Sequence, residues 1–478
     1  MTAVLPTLAA LAPIAVVFLL LAVRVPSLVA GTAGLVTALV AAATVHRPGR
    51  TEVLDAATRL GPTMLEVALI LLGGVLLATA LSATGARDHI AGWLERVGDD
   101  EDRVPAILLL VFGLTPFMES VTGFGLGVVI TAPLLVRMGL SPVRAVVSGL
   151  LGLVLVPWGS LGPGTLVAAE LGGQNVDALG VWSALLTLPV LLVSMTVVLV
   201  VVVGASRPSP RLVALSAAVV VTLWVTLVAA NWLVGTAPTG IIAAAAVIAL
   251  LLAVARVRHG ALPPVTRELA RAAAPFAVLL IGILGTTAIL AAVCTPAGAG
   301  WLTSPALWVL VAAAVAVCIY PTPADGAAAL VRTALARWLP IASTAIVFMA
   351  IGIVMATAGM AAHLAEGVAG LGPASLALIP ALGALGGYLT GTNTGAAAMF
   401  SAATTGAATG LGADGLVALA GQNVAGSYAI IVSPPRIALA VGVVLTGQTR
   451  LPGGAMRLLA GAVLVATVLL CAVVLVLA

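Results

Sequence analysis

The chain contains 478 residues, of which 62% are hydrophobic and 8% are charged, and its formal net charge is +4. A soluble globular protein carries about 25% charged residues, so this composition excludes a soluble globule and predicts a polytopic membrane protein. All 20 basic residues are arginines. They fall mainly in loops, where they indicate membrane topology and not a nucleic-acid partner.

Apolar runs long enough to cross a membrane recur along the whole chain. A transmembrane helix needs about 20 apolar residues to cross a hydrocarbon layer about 30 Å thick. By this criterion we predict an all-α polytopic membrane protein with about twelve transmembrane helices, near 4–23, 25–45, 62–84, 145–173, 180–204, 211–233, 238–255, 274–294, 303–320, 338–360, 416–446 and 458–477.

Two further apolar segments, near 105–136 and 376–408, are interrupted at their centres by polar residues and glycines. The first interruption, Phe117–Gly125, reads FMESVTGFG; the second, Tyr388–Ala396, reads YLTGTNTGA at an offset of 271 residues (388 minus 117). Each leaves arms of about 15 residues, which are short for a full crossing. Backbone can break at membrane depth only where it faces protein or water. We therefore predict two re-entrant hairpins whose tips form one binding site.

The same offset relates the flanking segments and predicts two repeats, 1–204 and 272–478, joined by two linking spans and a basic loop in 205–271. Each repeat contains three spans, a hairpin, a broken span (145–173 or 416–446) and a last span. Five crossings is an odd number, so after two linking spans the second repeat enters the membrane from the opposite side. This gives the inverted-repeat plan common in secondary transporters.

The arginine distribution predicts the orientation. Cytoplasmic loops carry an excess of basic residues, and the linker Arg256–Arg271 is the most basic loop of the chain. Placing this linker in the cytoplasm leaves both termini outside. Arg47, Arg50 and Arg59 then fall on the outer side, against the general rule.

Glu119 is an ionisable residue at the centre of an apolar segment, where burial costs several kcal/mol unless the charge is paired or used. One interpretation is a carboxylate that carries a proton at the substrate site. The alternative is a structural carboxylate that caps the second arm of the hairpin by accepting backbone N–H bonds. The glycines that follow, including Gly123 and Gly125, allow backbone groups to approach a ligand closely.

The second interruption is neutral and contains Thr392, Asn393 and Thr394, side chains that favour helix N-termini. Helix N-termini bind anions, so two opposed tips would suit a small carboxylate. The alternative is that small residues here only allow close packing between helices, as they do in membranes generally.

Both broken spans contain residues that disrupt a helix. Val156–Thr165 holds two prolines and three glycines, and we expect Gly421–Ser427 and Ser433–Arg436 to break the second span in the same way. Arg436 can form bidentate bonds to a carboxylate, so it is a candidate substrate anchor or a partner for Glu119. An arginine that snorkels to the interface is the alternative.

The sequence does not support catalytic chemistry. The acidic run Asp99–Asp102 has no second acidic cluster and is typical of a solvated loop, not of a metal-diphosphate site. The four histidines share no metal-ligand spacing, and Cys294, Cys318 and Cys471 lack paired spacing. No phosphate-binding loop is expected in a chain without lysine. We predict neither an enzyme, nor a metal site, nor a cofactor.

The motif FMESVTGFG, followed by ITAPLLV at Ile130–Val136, resembles the bacterial L-lactate permease family. LTGTNT at Leu389–Thr394 and SPPRIA at Ser433–Ala438 are similar to the second break and the Ser-Pro segment of that family. The resemblance extends over most of the chain, with a shorter middle near 294–305. Asn393 stands where the family pattern has an acidic residue, and Arg436 where it has a small polar one.

The resemblance implies uptake of L-lactate, glycolate or a related 2-hydroxymonocarboxylate by proton symport in the bacterial cytoplasmic membrane, and frequent homodimers. A sodium-coupled carrier or a di- or tricarboxylate carrier is the alternative within transport. A non-catalytic accessory membrane protein is the alternative outside it. In the leading hypothesis Glu119 couples the proton, and the substrate contacts are Thr122, Gly123, Gly125, Thr392, Asn393, Thr394, Gln422, Asn423, Ser427 and Arg436.

Overall fold

The computed structural model describes residues 4–97, 103–123, 125–204, 209–292, 299–320, 326–445, 448 and 450–478. The first half contains α1 Val4–Ala22, α2 Ser27–Thr44, α3 Arg50–Ala83, α4 Ala86–Glu95, α5 Arg103–Leu108, α6 Thr115–Thr122, α7 Leu126–Arg137, α8 Pro142–Leu151, α9 Pro163–Gly172, α10 Val176–Leu186 and α11 Leu188–Val203. The acidic run 99–102 and Cys294 lie outside the described residues.

The linking helices are α12 Pro210–Val234 and α13 Thr236–His259. The second half contains α14 Arg267–Ala292, α15 Pro305–Ile319, α16 Gly326–Thr357, α17 Met360–Ala369, α18 Leu378–Thr390, α19 Asn393–Gly410, α20 Gly415–Ala429, α21 Pro434–Gly442 and α22 Gly453–Leu477. A π-helical stretch, Leu109–Leu114, joins α5 to α6, and short 3₁₀ segments occupy Val156–Leu161, Ala299–Thr303, Pro373–Ala377 and Ile430–Val432.

The predicted fold class is confirmed: the described part is helical and contains no strand. Eleven of the helical segments described are long and apolar enough to cross a membrane, and α10 with α11, bent by 41°, brings the number to as many as twelve. Helices suit such a chain because they satisfy every backbone N–H and C=O within one segment, where lipid offers no partner.

Both interrupted segments fold back to the side where they start, which is consistent with the predicted hairpins. Arg103 Nη1 donates to Met138 O over 3.4 Å, so the start of α5 lies beside the end of α7. A Cβ on Gly410 would lie 3.6 Å from Cβ of Ala369, so the end of α19 lies beside the residues that precede α18. The first arms are longer than predicted. Arg103–Thr122 has 20 residues and Pro373–Thr390 has 18, because the helix continues into the polar interruption in both segments.

The helix is interrupted in both predicted broken spans, in the second at one place only. The 3₁₀ segment Val156–Leu161 separates α8 from α9, as its prolines and glycines predict. In the second span the helix ends before Ser433, but Gly421–Ser427 lies inside the continuous helix α20, so the break predicted there is wrong. The glycines of this region serve close packing: a Cβ on Gly387 of α18 would overlap the carbonyl oxygen of Gly426.

This close packing gives a test of the fold. Gly387→Ala is expected to destabilise the protein by about 3 kcal/mol, because the added methyl meets backbone that cannot move aside. Gly461→Ala in α22 is the matched control, since a Cβ there meets nothing within 4 Å. Alanine is the better helix former, so the control should melt no lower than the native protein in detergent. Equal melting temperatures for the two variants would contradict the packing.

The two halves present their long helices in the same order. The 34 residues of α3 are followed by the 10-residue α4, and the 32 residues of α16 by the 10-residue α17. The long helices pack against each other at the centre of the molecule, α3 also against α15 and α16 also against α2. The opposite insertion of the halves and the boundaries 1–204, 205–271 and 272–478 stay predictions.

Candidate functional site

The two tips meet at a small cavity lined mostly by buried residues. Gly123 and Gly125 turn the chain between α6 and α7 with φ of 67° and 82°, and Gly391 turns it between α18 and α19 with φ of 69°. Glycine adopts these left-handed conformations at no steric cost. The cavity has a volume of about 50 Å³, and its polar wall comes from both tips, from the 3₁₀ segment Val156–Leu161 and from Arg436.

Glu119 caps the first tip. Its two carboxylate oxygens accept the backbone N–H of Gly125 over 3.0 and 2.8 Å, and 1% of the residue is exposed. This is the capping contact that the structural interpretation of Glu119 predicts. The carboxylate nevertheless also lines the cavity, so the capping role and a role at the site fit the same geometry.

Arg436 is the cationic side chain that accompanies this carboxylate. Its Nη1 lies 3.6 Å from Glu119 Oε1, and the exposed fractions of the two side chains are 8% and 1%. The guanidinium is therefore buried against the first tip and does not extend towards the interface. Nη1 has no hydrogen-bond partner within the described part of the chain. The ion pair thus leaves a donor of Arg436 free for another acceptor.

The second tip is held by neutral hydrogen bonds. Thr392 Oγ1 accepts the backbone N–H of Gly395 over 3.0 Å and caps α19. Asn393 Nδ2 donates to Asn423 Oδ1 over 2.8 Å, and Asn423 Nδ2 donates to Thr165 Oγ1 and Ser183 Oγ, each over 3.0 Å. Asn423 therefore ties the second tip to helices of the first half.

Asn423→Leu is expected to destabilise the protein by about 2 kcal/mol, because it leaves the buried amide of Asn393 without its acceptor. Ser183→Ala removes only one acceptor of the same network and should cost less than about 1 kcal/mol. Thermal unfolding of both variants in detergent measures the difference. If Asn423→Leu melts as the native protein does, the network does not hold the tip.

The predicted site residues separate into three groups. Those that line the cavity are Glu119, Gly123, Thr392, Asn393, Thr394 and Arg436. Gly125 and Asn423 adjoin the cavity. A Cβ on Gly125 would lie 2.5 Å from Arg436 Nη1, and Asn423 accepts a hydrogen bond from the side chain of Asn393. The remaining three, Thr122, Gln422 and Ser427, do not line it. The roles of all three groups at the substrate site stay predictions.

The hydrogen bonds of two of these outlying residues point elsewhere. Thr122 Oγ1 donates to Met118 O over 2.6 Å within its own helix. Gln422 pairs with Thr404 and donates to Ser401 Oγ over 3.0 Å, so its amide joins α20 to α19. The hydroxyl of Ser427 is buried without a hydrogen-bond partner in the described part of the protein.

One cavity residue, Ser160, was not among the predicted contacts. It lies in the 3₁₀ segment with φ of 43° and ψ of 50°, a backbone conformation that residues other than glycine seldom adopt. The density of prolines and glycines in Val156–Thr165 marks this turn in the sequence. Composition alone does not single out its serine, since nothing in the pattern shows that this residue lines the cavity.

Two larger cavities lie near the central one. One, of about 370 Å³, shares Thr392, Thr394 and Arg436 with it and extends between α16 and the start of α2. The other, of about 570 Å³, lies beyond Leu161 and is bordered by the first turns of α10, α13 and α15. The central cavity thus shares part of its wall with the first of these cavities, and its Ser160 precedes Leu161 of the second.

Within the described residues, no group of three or more His, Cys, Asp or Glu side chains could hold a metal ion. What the central cavity offers chemically is one guanidinium, one carboxylate, and neutral hydroxyl and amide groups. This set can bind a small anion and exchange a proton.

The chain is similar to known proteins of one family. The sequence pattern of a family described as L-lactate permease matches residues 6–268 and 229–478, which together cover almost the whole chain. An L-lactate permease of Bacillus subtilis (strain 168) is 37% identical over 144 residues, 30% of this chain and 25% of that protein. An L-lactate permease of Streptococcus iniae is 32% identical over 108 residues, 22% of this chain and 23% of that protein.

These alignments with individual relatives span only about a quarter of each relative's length. The family pattern, in contrast, extends through both predicted hairpins and both predicted broken spans of this chain. The protein is therefore a multi-pass, all-helical member of the L-lactate permease family.

Proposed function

We propose that the protein is a secondary active transporter that carries L-lactate together with a proton across the bacterial cytoplasmic membrane. The observation that carries this proposal is the buried pair of Arg436 and Glu119 at the meeting point of the two tips, with a donor of the guanidinium left free. Membership of a permease family supports a transporter and not an enzyme, with a small carboxylate as its substrate.

The substrate carboxylate binds to Arg436 in this proposal. A guanidinium keeps its charge and forms strong, oriented hydrogen bonds to carboxylates. The first turn of α19 adds backbone N–H groups and the positive end of a helix dipole, at Asn393 and Thr394. Glycolate has the same carboxylate and hydroxyl groups and is expected to compete with lactate.

The balance of charge in the site couples the binding of lactate to the binding of a proton. One cation, Arg436, faces one anion, Glu119, in a buried site where an unbalanced charge is costly. When lactate binds to the guanidinium, the site holds two anions for one cation. A proton on Glu119 restores neutrality, so loading lactate requires loading a proton. The cycle is then electroneutral, with one proton for each lactate.

Alternating access would use the two wider cavities in turn. The cavity of about 370 Å³ borders the second tip and Arg436, whereas the cavity of about 570 Å³ borders Leu161 and Gly162, next to the segment that lines the central cavity. We propose that the inverted halves and re-entrant hairpins predicted from the sequence move relative to each other. The central cavity then opens first to one of the wider cavities and afterwards to the other. With the basic linker in the cytoplasm, the cavity next to α2 opens inward.

Counterflow into proteoliposomes tests the substrate class. Vesicles that contain the purified protein and unlabelled L-lactate should take up labelled L-lactate, and external glycolate should inhibit this uptake. Citrate and succinate should not inhibit it, because the central cavity offers one guanidinium and little space. Counterflow of succinate but not lactate, or uptake driven by a sodium gradient alone, would favour the alternative carriers. A protein without any counterflow would not be a transporter of these acids.

A further inference from the structure

Ser160 holds a buried hydroxyl in a strained position. Its φ of 43° and the φ of 65° at Leu161 are both positive, in a region that glycine occupies readily and other residues do not. Only 2% of Ser160 is exposed, and its Oγ has no hydrogen-bond partner in the described part of the chain. A glycine would adopt this backbone without strain, so the hydroxyl group is what distinguishes serine at this position.

Two glycines from different elements leave room for this side chain. A Cβ on Gly74 of α3 would lie 2.6 Å from Ser160 Oγ, and a Cβ on Gly123 of the first tip would lie 2.7 Å from Ser160 Cβ. Such separations are too short for real atoms, so neither position accepts a larger residue without a shift. The Ser160 side chain is therefore accommodated only because both of these neighbours are glycines.

Ser160 and Arg436 flank the same tip. Gly123 contacts Ser160, Gly125 contacts Arg436 Nη1, and both polar side chains line the one small cavity. A buried polar atom without a partner is costly and calls for a ligand or a water. Here two such atoms, Ser160 Oγ and Arg436 Nη1, belong to residues that line the same small cavity.

We propose that Ser160 Oγ recognises the 2-hydroxyl group of the substrate while Arg436 binds its carboxylate. In a 2-hydroxycarboxylate these two groups sit on adjacent carbons, so two polar groups that flank one small cavity can engage both at once. Ser160 is then a specificity-determining residue that distinguishes lactate from propionate, which has the same carbon skeleton without the hydroxyl. This inference rests on the proposed function and adds the residue that selects the substrate class.

The test compares binding of L-lactate and of propionate to purified protein in detergent by calorimetry. The native protein should bind lactate about tenfold more tightly than propionate, which corresponds to one hydrogen bond. In Ser160→Gly and Ser160→Ala the two affinities should become equal to within about twofold, with propionate binding unchanged. Ser160→Gly relieves the backbone strain, so it should also melt no lower than the native protein, which separates recognition from folding.

Ser216→Ala is the matched control, because Ser216 also has a buried hydroxyl without a partner among the described residues but lies on α12, away from the cavity. It should keep the native preference for lactate. If Ser160→Gly binds propionate normally and still prefers lactate tenfold, the inference is overturned and the proposed function stands. If the native protein binds neither acid, both fail together.

Discussion

Arg436→Gln is expected to abolish lactate transport and to destabilise the protein by about 3–5 kcal/mol, the cost of removing one partner of a buried ion pair. The guanidinium lies 3.6 Å from the buried carboxylate of Glu119, and the exposed fraction of its side chain is only 8%. Without it, the carboxylate has no cation and the substrate has no anchor. Counterflow and thermal unfolding in detergent measure the two losses separately.

A double variant separates these two consequences. Arg436→Gln combined with Glu119→Gln removes both charges, so most of the lost stability should return while transport stays absent. Arg332→Gln, at an exposed position of α16, is the control and should change neither property. If the double variant melts as low as Arg436→Gln alone, the charge pair does not account for the loss. If either variant carries lactate at the native rate, Arg436 is not the anchor.

Glu119→Gln is expected to abolish accumulation of lactate driven by an inward proton gradient while leaving exchange of lactate for lactate. The amide keeps an oxygen that can accept the N–H of Gly125, so the tip can stay capped, but it cannot take up a proton. Exchange needs only the binding site and its movement. Net accumulation needs the coupling.

Proteoliposomes with an acidic exterior test this difference. The quantity measured is the ratio of the labelled lactate concentrations inside and outside the vesicles. The native protein should concentrate lactate, whereas Glu119→Gln should bring it only to equal concentrations. Exchange in the variant should also lose its dependence on pH. Glu366→Gln on the exposed surface of α17 serves as the control and should behave as the native protein does. Accumulation by Glu119→Gln at the native level would show that the coupling lies elsewhere.

Hydropathy predicted the fold class because a segment that crosses lipid must be apolar and must satisfy its own backbone hydrogen bonds, which a helix does. The apolar segments are visible in the composition of the sequence. The two tips were also predictable. Few structural roles explain a glutamate, hydroxyl side chains and glycines inside apolar sequence. The repeat of this pattern after 271 residues led to the prediction that the two interruptions form one site. Six of the predicted site residues line the small cavity between the tips.

Tertiary packing decides what local sequence cannot show. Gly421–Ser427 looks like a helix break, yet it continues as helix because the glycines of α18 and α20 let their backbones approach closely. The same limit applies to Arg436, for which the sequence left three roles open, since its pairing with Glu119 joins residues more than 300 positions apart (436 minus 119 is 317). Ser160 was missed because its importance depends on a backbone angle and on two distant glycines.

Protection of a single cysteine by substrate tests most directly the claim that lactate binds between the two tips. Thr392→Cys would be introduced into a chain whose native Cys294, Cys318 and Cys471 are replaced by alanine, and its reaction with a small thiol reagent would be followed in proteoliposomes. Because Thr392 lines both the central cavity and the one next to α2, L-lactate should slow the reaction several-fold. Acetate, which lacks the hydroxyl, should slow it less. An unchanged rate in lactate, with a variant that still exchanges lactate, would contradict a site between the tips.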